Sequence, residues 1–179
     1  MILAGLLLGL VIALVVMVLL TAAYHVWRRV PYVPTPMVAV RAMVELAALT
    51  GGERVYDLGA GDCRLLIEAK RACPGIRAVG YEGAPLIWLL GKLRILLSGV
   101  GVELSARNFL VQDLSDAAVI FLYVTPGVMR TLSDKFTREL VPGTRVISHV
   151  FTFSGRTPHV VREVDVPLWG RKKVYLYRW

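Results

Sequence analysis

The first long pattern in the chain is an unbroken apolar one. Residues 2–23 carry no charge, and Thr21 is their only polar side chain. A run of that length is what a helix needs to cross a hydrocarbon core. After it the pattern breaks into short apolar runs and helical periodicities. Residues 31–36 hold three prolines, which keep that stretch extended. Thr35 then reads as an N-cap with Pro36 at the first helical position. The helix runs through Val40, Met43, Val44, Leu46 and Ala47 and stops at Gly51-Gly52. Strands are predicted over residues 55–58 and 76–82, with one crossover helix between them near residues 62–72. A helix at 84–97 is apolar on most faces, which implies deep packing or contact with a bilayer surface where Lys92 and Arg94 snorkel. A short strand follows at 102–106. The apolar run 117–124 reads as a central strand covered on both faces. Thr125-Pro126 caps a helix that reaches Leu140, and Pro142-Gly143 turns the chain into a strand at 144–153. The tail alternates through Val164 and Val166, turns at 167–170 and returns as an antiparallel hairpin. The fold class is therefore α/β: an N-terminal transmembrane helix, then a mostly parallel Rossmann-like sheet of seven strands ending in an antiparallel C-terminal hairpin.

A length of 179 residues suits one domain plus an appendage, read here as an anchor at 1–29 and a domain at 30–179. The mean hydropathy of +0.60 is high for a soluble domain, and the apolar run is its source. A secretory signal is the competing reading of that run, with Thr21-Ala22-Ala23 imitating a cleavage site; it would want a basic start and a shorter apolar core. Every charge lies after the run, beginning at Arg28-Arg29. Positive-inside logic then makes the chain single-pass at the membrane, with the globular part on the cytoplasmic side. Tyr24 and Trp27 are expected as interfacial anchors, and His25 as a headgroup-level side chain. The net charge of +8 belongs to the globular part and favours an anionic leaflet or acidic partner. Its cations are scattered, and no nucleic-acid module is recognisable; Arg171-Lys172-Lys173, the only tight run, reads as a solvent-facing hairpin turn. Cys63 and Cys73, the two cysteines, have no zinc spacing and are expected as free thiols, and no metal cluster is expected.

The chemistry is concentrated at Asp57-Leu58-Gly59-Ala60-Gly61-Asp62-Cys63-Arg64. An apolar strand ends in an acid, two glycines turn the chain, and a helix begins. Glycines let backbone approach a ligand, and a helix N-terminus presents free N–H groups. A dinucleotide fingerprint would place a third glycine where Arg64 stands. An acid two residues before the first glycine suits a ligand with a cation, such as the ammonium of S-adenosylmethionine (SAM). A second acid, Glu82, ends the next strand, where ribose hydroxyls are gripped in doubly wound sheets.

Tyr32-Val33-Pro34-Thr35-Pro36, the segment 57–62, Gly80-Tyr81-Glu82, Phe121-Leu122-Tyr123 and the run from Pro142 to His149 together resemble one family. It is the seven-β-strand protein-lysine methyltransferases, which include archaeal broad-specificity enzymes and mitochondrial membrane-anchored ones acting on the ATP synthase c-subunit and the adenine nucleotide translocase. The resemblance spans about residues 30–179. It implies that Asp57, Gly59 and Gly61 hold the methionine end of SAM, that Glu82 binds the ribose, and that Asn108 and Phe109 meet the adenine. Tyr32 and Thr35 would close over the sulfonium. The family usually has Gly where Cys63 stands and often Asp where Asn108 stands, so Cys63 adds a side chain beside the methionine carboxylate.

A lysine acceptor must be neutral to attack, and a dry aromatic channel lowers its pKa by desolvation. Tyr32 and Tyr123 are the candidates for that channel, with Ser148 and His149 at its edge and His149 as a proton acceptor. The expected partners are a protein substrate at or near the membrane and the bilayer itself. Two alternatives stay open: methylation of a membrane-soluble small molecule such as a lipid or quinone precursor, and a non-catalytic scaffold that keeps the fold.

Overall fold

The computed structural model describes residues 2–28 and 32–179. Arg29, Val30 and Pro31 lie outside the described residues, as do the side chains of Trp27 and Arg28, so the expected basic flank and the Trp27 anchor are not described. The apolar run is a single helix, α1 (Ile2–Arg28), followed by α2 (Met37–Ala47). Then β1 (Arg54–Leu58), α3 (Arg64–Ala72), β2 (Arg77–Tyr81), α4 (Pro85–Ser98) and β3 (Val102–Ser105) alternate. A 3-10 turn at Phe109–Val111 leads to β4 (Val119–Leu122), α5 (Pro126–Glu139), β5 (Arg145–His149) and the hairpin β6 (Val160–Val166) and β7 (Gly170–Arg178).

The seven strands form one sheet in the order β3-β2-β1-β4-β5-β7-β6. The first five are parallel, and β7 runs antiparallel to β5 and β6. Strands buried on both faces need apolar side chains at every position, which the run 117–124 supplies. Val119 and Phe121 pack towards α2 and α3, whereas Ile120 and Leu122 pack with Tyr56, Leu58, Met129 and Phe136 under α5. The sheet is thus covered by α2, α3 and α4 on one face and by α5 on the other.

Three boundaries depart from the sequence reading. Pro36 is the N-cap of α2 rather than its first residue: it is extended, and its carbonyl accepts the Val40 N–H at 2.9 Å. Thr35, held extended before a proline, makes no cap. The same helix stops before the glycine pair, at Ala48 in the left-handed region. β5 ends at His149 instead of Phe153, because Val150 turns to φ +69° and gives its N–H to the Lys173 carbonyl.

Gly91 lets α4 lie directly on the glycine turn: a Cβ there would sit 2.7 Å from Leu104 Cδ2 and 3.0 Å from the Gly61 carbonyl oxygen. Gly91→Ala gains roughly 1 kcal/mol of helix propensity and loses about 1–3 kcal/mol to overpacking against backbone that cannot yield. Urea unfolding of the detergent-solubilised chain is expected to show a net loss of stability, with weaker ligand binding at the displaced turn.

Candidate active site

The parallel strands converge at one end of the sheet, and the chain there closes a cavity of about 370 Å³. That volume lies within the range of small-molecule sites. Its floor is the turn after β1. Gly59 and Gly61 take φ of +90° and +56°, and the Gly59 and Ala60 N–H groups both donate to the Tyr81 carbonyl at 2.9 Å. The turn is thereby stapled to the end of β2. The adjoining acid, Glu82, accepts the Gly61 N–H at 3.0 Å and the Ala84 N–H at 2.7 Å. One carboxylate therefore ties the glycine turn to the start of α4. Burial raises the Glu82 pKa, partly offset by those two N–H donors and the nearby His25 ring.

Asp57 is the strongest electrostatic feature. It is buried at the end of β1, and burial with the charges of Glu82 and Asp62 pushes its pKa up to about 8. Asp62 is handled differently. Burial opposes its charge, but Arg64 hydrogen bonds and the Arg64 and Arg94 cations win and lower its pKa. Arg64 grips Asp62 through Nε at 2.9 Å and Nη2 at 2.7 Å, and its Nη1 donates to the Thr35 carbonyl at 3.2 Å. The arginine that replaces a third glycine is thus a clasp between the turn and the extended segment before α2. Tyr32, on that segment, lays its ring against Gly61, where a Cβ would meet Tyr32 Cε2 at 3.0 Å.

Around this floor the cavity wall includes Tyr32, Thr35, Gly59, Tyr81, Glu82, Asn108, Phe109, Leu110, Tyr123 and Val128, and, from the last turn of α1, Tyr24 and His25. The arrangement offers one acid, Glu82, together with aromatic and aliphatic surface and four tyrosines. A family model described as the ANTKMT methyltransferase domain matches residues 57–160. The chain belongs to that methyltransferase family.

A protein-lysine N-methyltransferase of Saccharolobus islandicus (strain REY15A) is 38% identical over 150 residues, covering 83% of this chain and 92% of the relative. The mouse adenine nucleotide translocase lysine N-methyltransferase is 31% identical over 168 residues, covering 83% and 72%. Among solved structures, an RNA methyltransferase from Salinibacter ruber in complex with S-adenosyl-L-homocysteine matches with a TM-score of 0.73 and 35% identity over 82% of this chain and 93% of that one. The C-terminal domain of precorrin-6Y C5,15-methyltransferase from Rhodobacter capsulatus, at 17% identity and TM-score 0.64, shares the fold. The protein is a SAM-dependent methyltransferase, with the seven-strand sheet expected of one. The cavity fits that donor: Glu82 stands in its wall with the buried, proton-bearing Asp57 near it, and Phe109 and Tyr123 supply aromatic surface.

The structure brings Tyr32, Thr35, Gly59, Glu82, Asn108, Phe109 and Tyr123 into one wall. Asp57 and Gly61 are not among the lining residues: Asp57 is buried at the end of β1, and Gly61 adjoins the wall through its N–H bond to Glu82. Asn108 Oδ1 accepts the Leu110 N–H at 3.1 Å and its backbone carbonyl accepts from Gln112 Nε2 at 3.2 Å, which fixes the residue at the start of the 3-10 turn. Ser148 and His149 are placed elsewhere. Both are fully buried; Ser148 gives its hydroxyl to the Phe151 carbonyl, and His149 packs edge-on to Tyr123 at 4.7 Å instead of lining the cavity. Burial lowers the His149 pKa to about 4, against the Lys173 backbone, which raises it, so the ring is neutral at pH 7. Cys63 adopts φ +62°, the conformation for which glycine is the natural residue, and its thiol turns inwards against Ala60, Ile67 and Leu104. Burial and the neighbouring acids raise that thiol's pKa well above its usual value.

Sequence reasoning missed Tyr24 and His25 as wall residues. Tyr24 Oη rests on Gly83, and Thr21 Oγ1 accepts the Leu86 N–H at 2.9 Å, which gives α4 the N-terminal partner that its own Ala84 cannot. Arg107 and Tyr81 also line the cavity and were not singled out.

Two outcomes are expected. Between about pH 4 and pH 8 the folded chain keeps a proton on Asp57 that the unfolded chain sheds, so its stability falls as pH rises through that window. Asp57→Asn should therefore raise the unfolding free energy of the ligand-free protein at pH 8, on the order of 2–5 kcal/mol, with the gain shrinking towards pH 4; urea titrations at several pH values check this, and the variant should lose SAM binding. Separately, Tyr24→Ala should weaken S-adenosylhomocysteine binding by roughly 1–2 kcal/mol in calorimetry, as the loss of one wall contact.

Proposed function

We propose that this methyltransferase transfers methyl groups to lysine ε-amines of proteins at or near a membrane surface, held there by α1. The observation that carries the reading is one cavity whose wall combines Glu82, the rings of Tyr32 and Tyr123 and the last turn of the apolar helix. The relatives named for protein-lysine methylation supply the choice of acceptor. Among the described residues, α1 is the one helix long and apolar enough to cross a membrane. In this reading it spans once, and the catalytic domain sits on the cytoplasmic side.

In the proposed arrangement Asp57 faces the donor's ammonium, Glu82 its ribose hydroxyls, and Asn108 and Phe109 its adenine. When bound, the donor supplies a methyl carbon already activated by a sulfonium. What the chain must add is alignment and a neutral amine. Tyr32 and Tyr123 form the approach, where withdrawal from water lowers the lysine pKa. Alignment of nucleophile and methyl carbon is worth up to roughly 7–11 kcal/mol in well-oriented systems. His149, neutral and sealed behind Tyr123, acts as support for that ring. RNA is the competing acceptor class, because the Salinibacter structure carries that name. A strand-binding rim would want cations interleaved with stacking rings, whereas the wall offers Arg107 and His25 as its only basic side chains among the described residues.

Membranes from cells with and without the protein, incubated with methyl-labelled SAM and separated into protein, lipid and RNA fractions, test the reading. Label is expected on lysines in the protein fraction. Label confined to lipid or RNA overturns it, and a failure of the purified chain to bind SAM would leave only the scaffold alternative. Tyr123→Ala is expected to lower turnover at least tenfold, equivalent to about 1.4 kcal/mol, with little change in SAM affinity.

A further inference from the structure

The outer face of α4 is left largely uncovered by the described residues. Ile87 and Gly91 face the sheet, and Leu89, Leu90, Leu93, Leu96 and Leu97 form a stripe at helical spacing on the other side. Exposure along the stripe rises from 43% at Leu89 to 79% at Leu97. Such a stripe on a short surface helix is too continuous to be scattered surface leucine.

Its position relative to α1 says what covers it. The apolar run of α1 ends at Ala23, and the next residues are Tyr24 and His25, side chains of the kind that settle at headgroup level. At that level α1 touches α4: Thr21 accepts the Leu86 N–H, and Tyr24 rests on Gly83. With α1 in the bilayer, the first turn of α4 is therefore fixed at the membrane boundary, and the leucine stripe starts from there. The charges agree. α4 has no acidic residue; its cations are Lys92, which lies 5.5 Å over the Trp88 ring at the edge of the stripe, and Arg94, which pairs with Asp62 at 2.9 Å. A basic helix with a leucine face suits the headgroup and acyl boundary of an anionic leaflet, where such helices sink about 5–10 Å.

We infer that α4 is a second membrane element, lying in the interface of an anionic bilayer with Leu89, Leu90, Leu93, Leu96 and Leu97 turned into the acyl region. The inference rests on the proposed anchoring through α1. It goes further, because it fixes the orientation of the domain. Tyr32, Leu90, Leu93, Arg94 and Leu97 together border one surface hollow, and Tyr32 is also in the active-site wall. The catalytic cavity, which shares Tyr32 with that hollow, is then held near the lipid surface rather than swinging freely on a tether.

The test uses the full-length chain in phosphatidylcholine–phosphatidylglycerol vesicles. In a Cys73→Ser background, with Cys63 buried, nitroxide labels are placed at Leu96→Cys, at Leu93→Cys as a second reporter, at Leu10→Cys in the anchor, and at Arg138→Cys on α5, which covers the opposite face of the sheet. Accessibility to oxygen and to a water-soluble nickel chelate is read by power saturation, with retained S-adenosylhomocysteine binding as the check on folding. Oxygen-to-nickel ratios several-fold higher at 93, 96 and 10 than at 138 support the inference. A high ratio at 10 with solvent-like values at 93 and 96 overturns it while leaving the anchor intact. Labels at 93 and 96 shielded from both reagents also overturn it, since a protein or a second copy of the chain would then cover the face. A solvent-like value at 10 overturns the anchoring, and this inference with it.

Discussion

The site is organised by two carboxylates, Asp57 and Glu82, withdrawn from water close together at the ends of adjacent strands. Asp57 cannot be rehydrated, and Glu82 beside it opposes its ionisation. Among the described residues the chain places no lysine or arginine in a salt bridge with either acid. It gives Glu82 two backbone N–H donors, gives Asp62 two arginines, and leaves Asp57 protonated near neutral pH. Such an arrangement costs stability in the empty protein and reserves a strong interaction for a cationic ligand. The glycine turn, the approach of α4 over Gly91 and the Arg64 clasp all serve to hold these acids in place.

The α1–α4 contact gives the apolar helix a second role. A tether would need only length and apolarity. Thr21 and Tyr24 are instead committed to backbone at residues 83–86, the segment that carries Glu82 into α4. In the proposed arrangement, the membrane boundary and the ribose end of the cavity are therefore separated by a single turn of chain.

Much of this was visible in the sequence. The acid–glycine turn, the second acid at Glu82 and the doubly covered strand at 117–124 each express a local rule, and the alternation of strands and helices followed by a hairpin marks a mostly parallel sheet with an antiparallel end. What stayed hidden depends on which face an element turns. In an all-apolar helix no hydropathy pattern marks Tyr24 and His25 as packing residues; their role appears only when α4 lies beside them. His149 looked like a strand-end residue near the site, but it is turned into the core behind Tyr123. The thiol of Cys63 was expected beside the ligand. The left-handed backbone at that position aims it into the interior instead. Arg64 looked like a missing glycine, and its clasp on Asp62 and the Thr35 carbonyl could be seen only once the linker was placed.

The location of Asp57 also bears on how the enzyme lets go. Methyl transfer removes the positive charge at sulfur but leaves the donor's amino-acid end untouched. In the proposed arrangement an acid beneath that end holds the spent cofactor as firmly as the fresh one. Discrimination then falls to the sulfur end, where Tyr32 and Thr35 supply ring and hydroxyl but no formal charge. Turnover of such a site is throttled by its own by-product, and the enzyme reports the ratio of donor to spent cofactor in its compartment rather than the supply of donor alone.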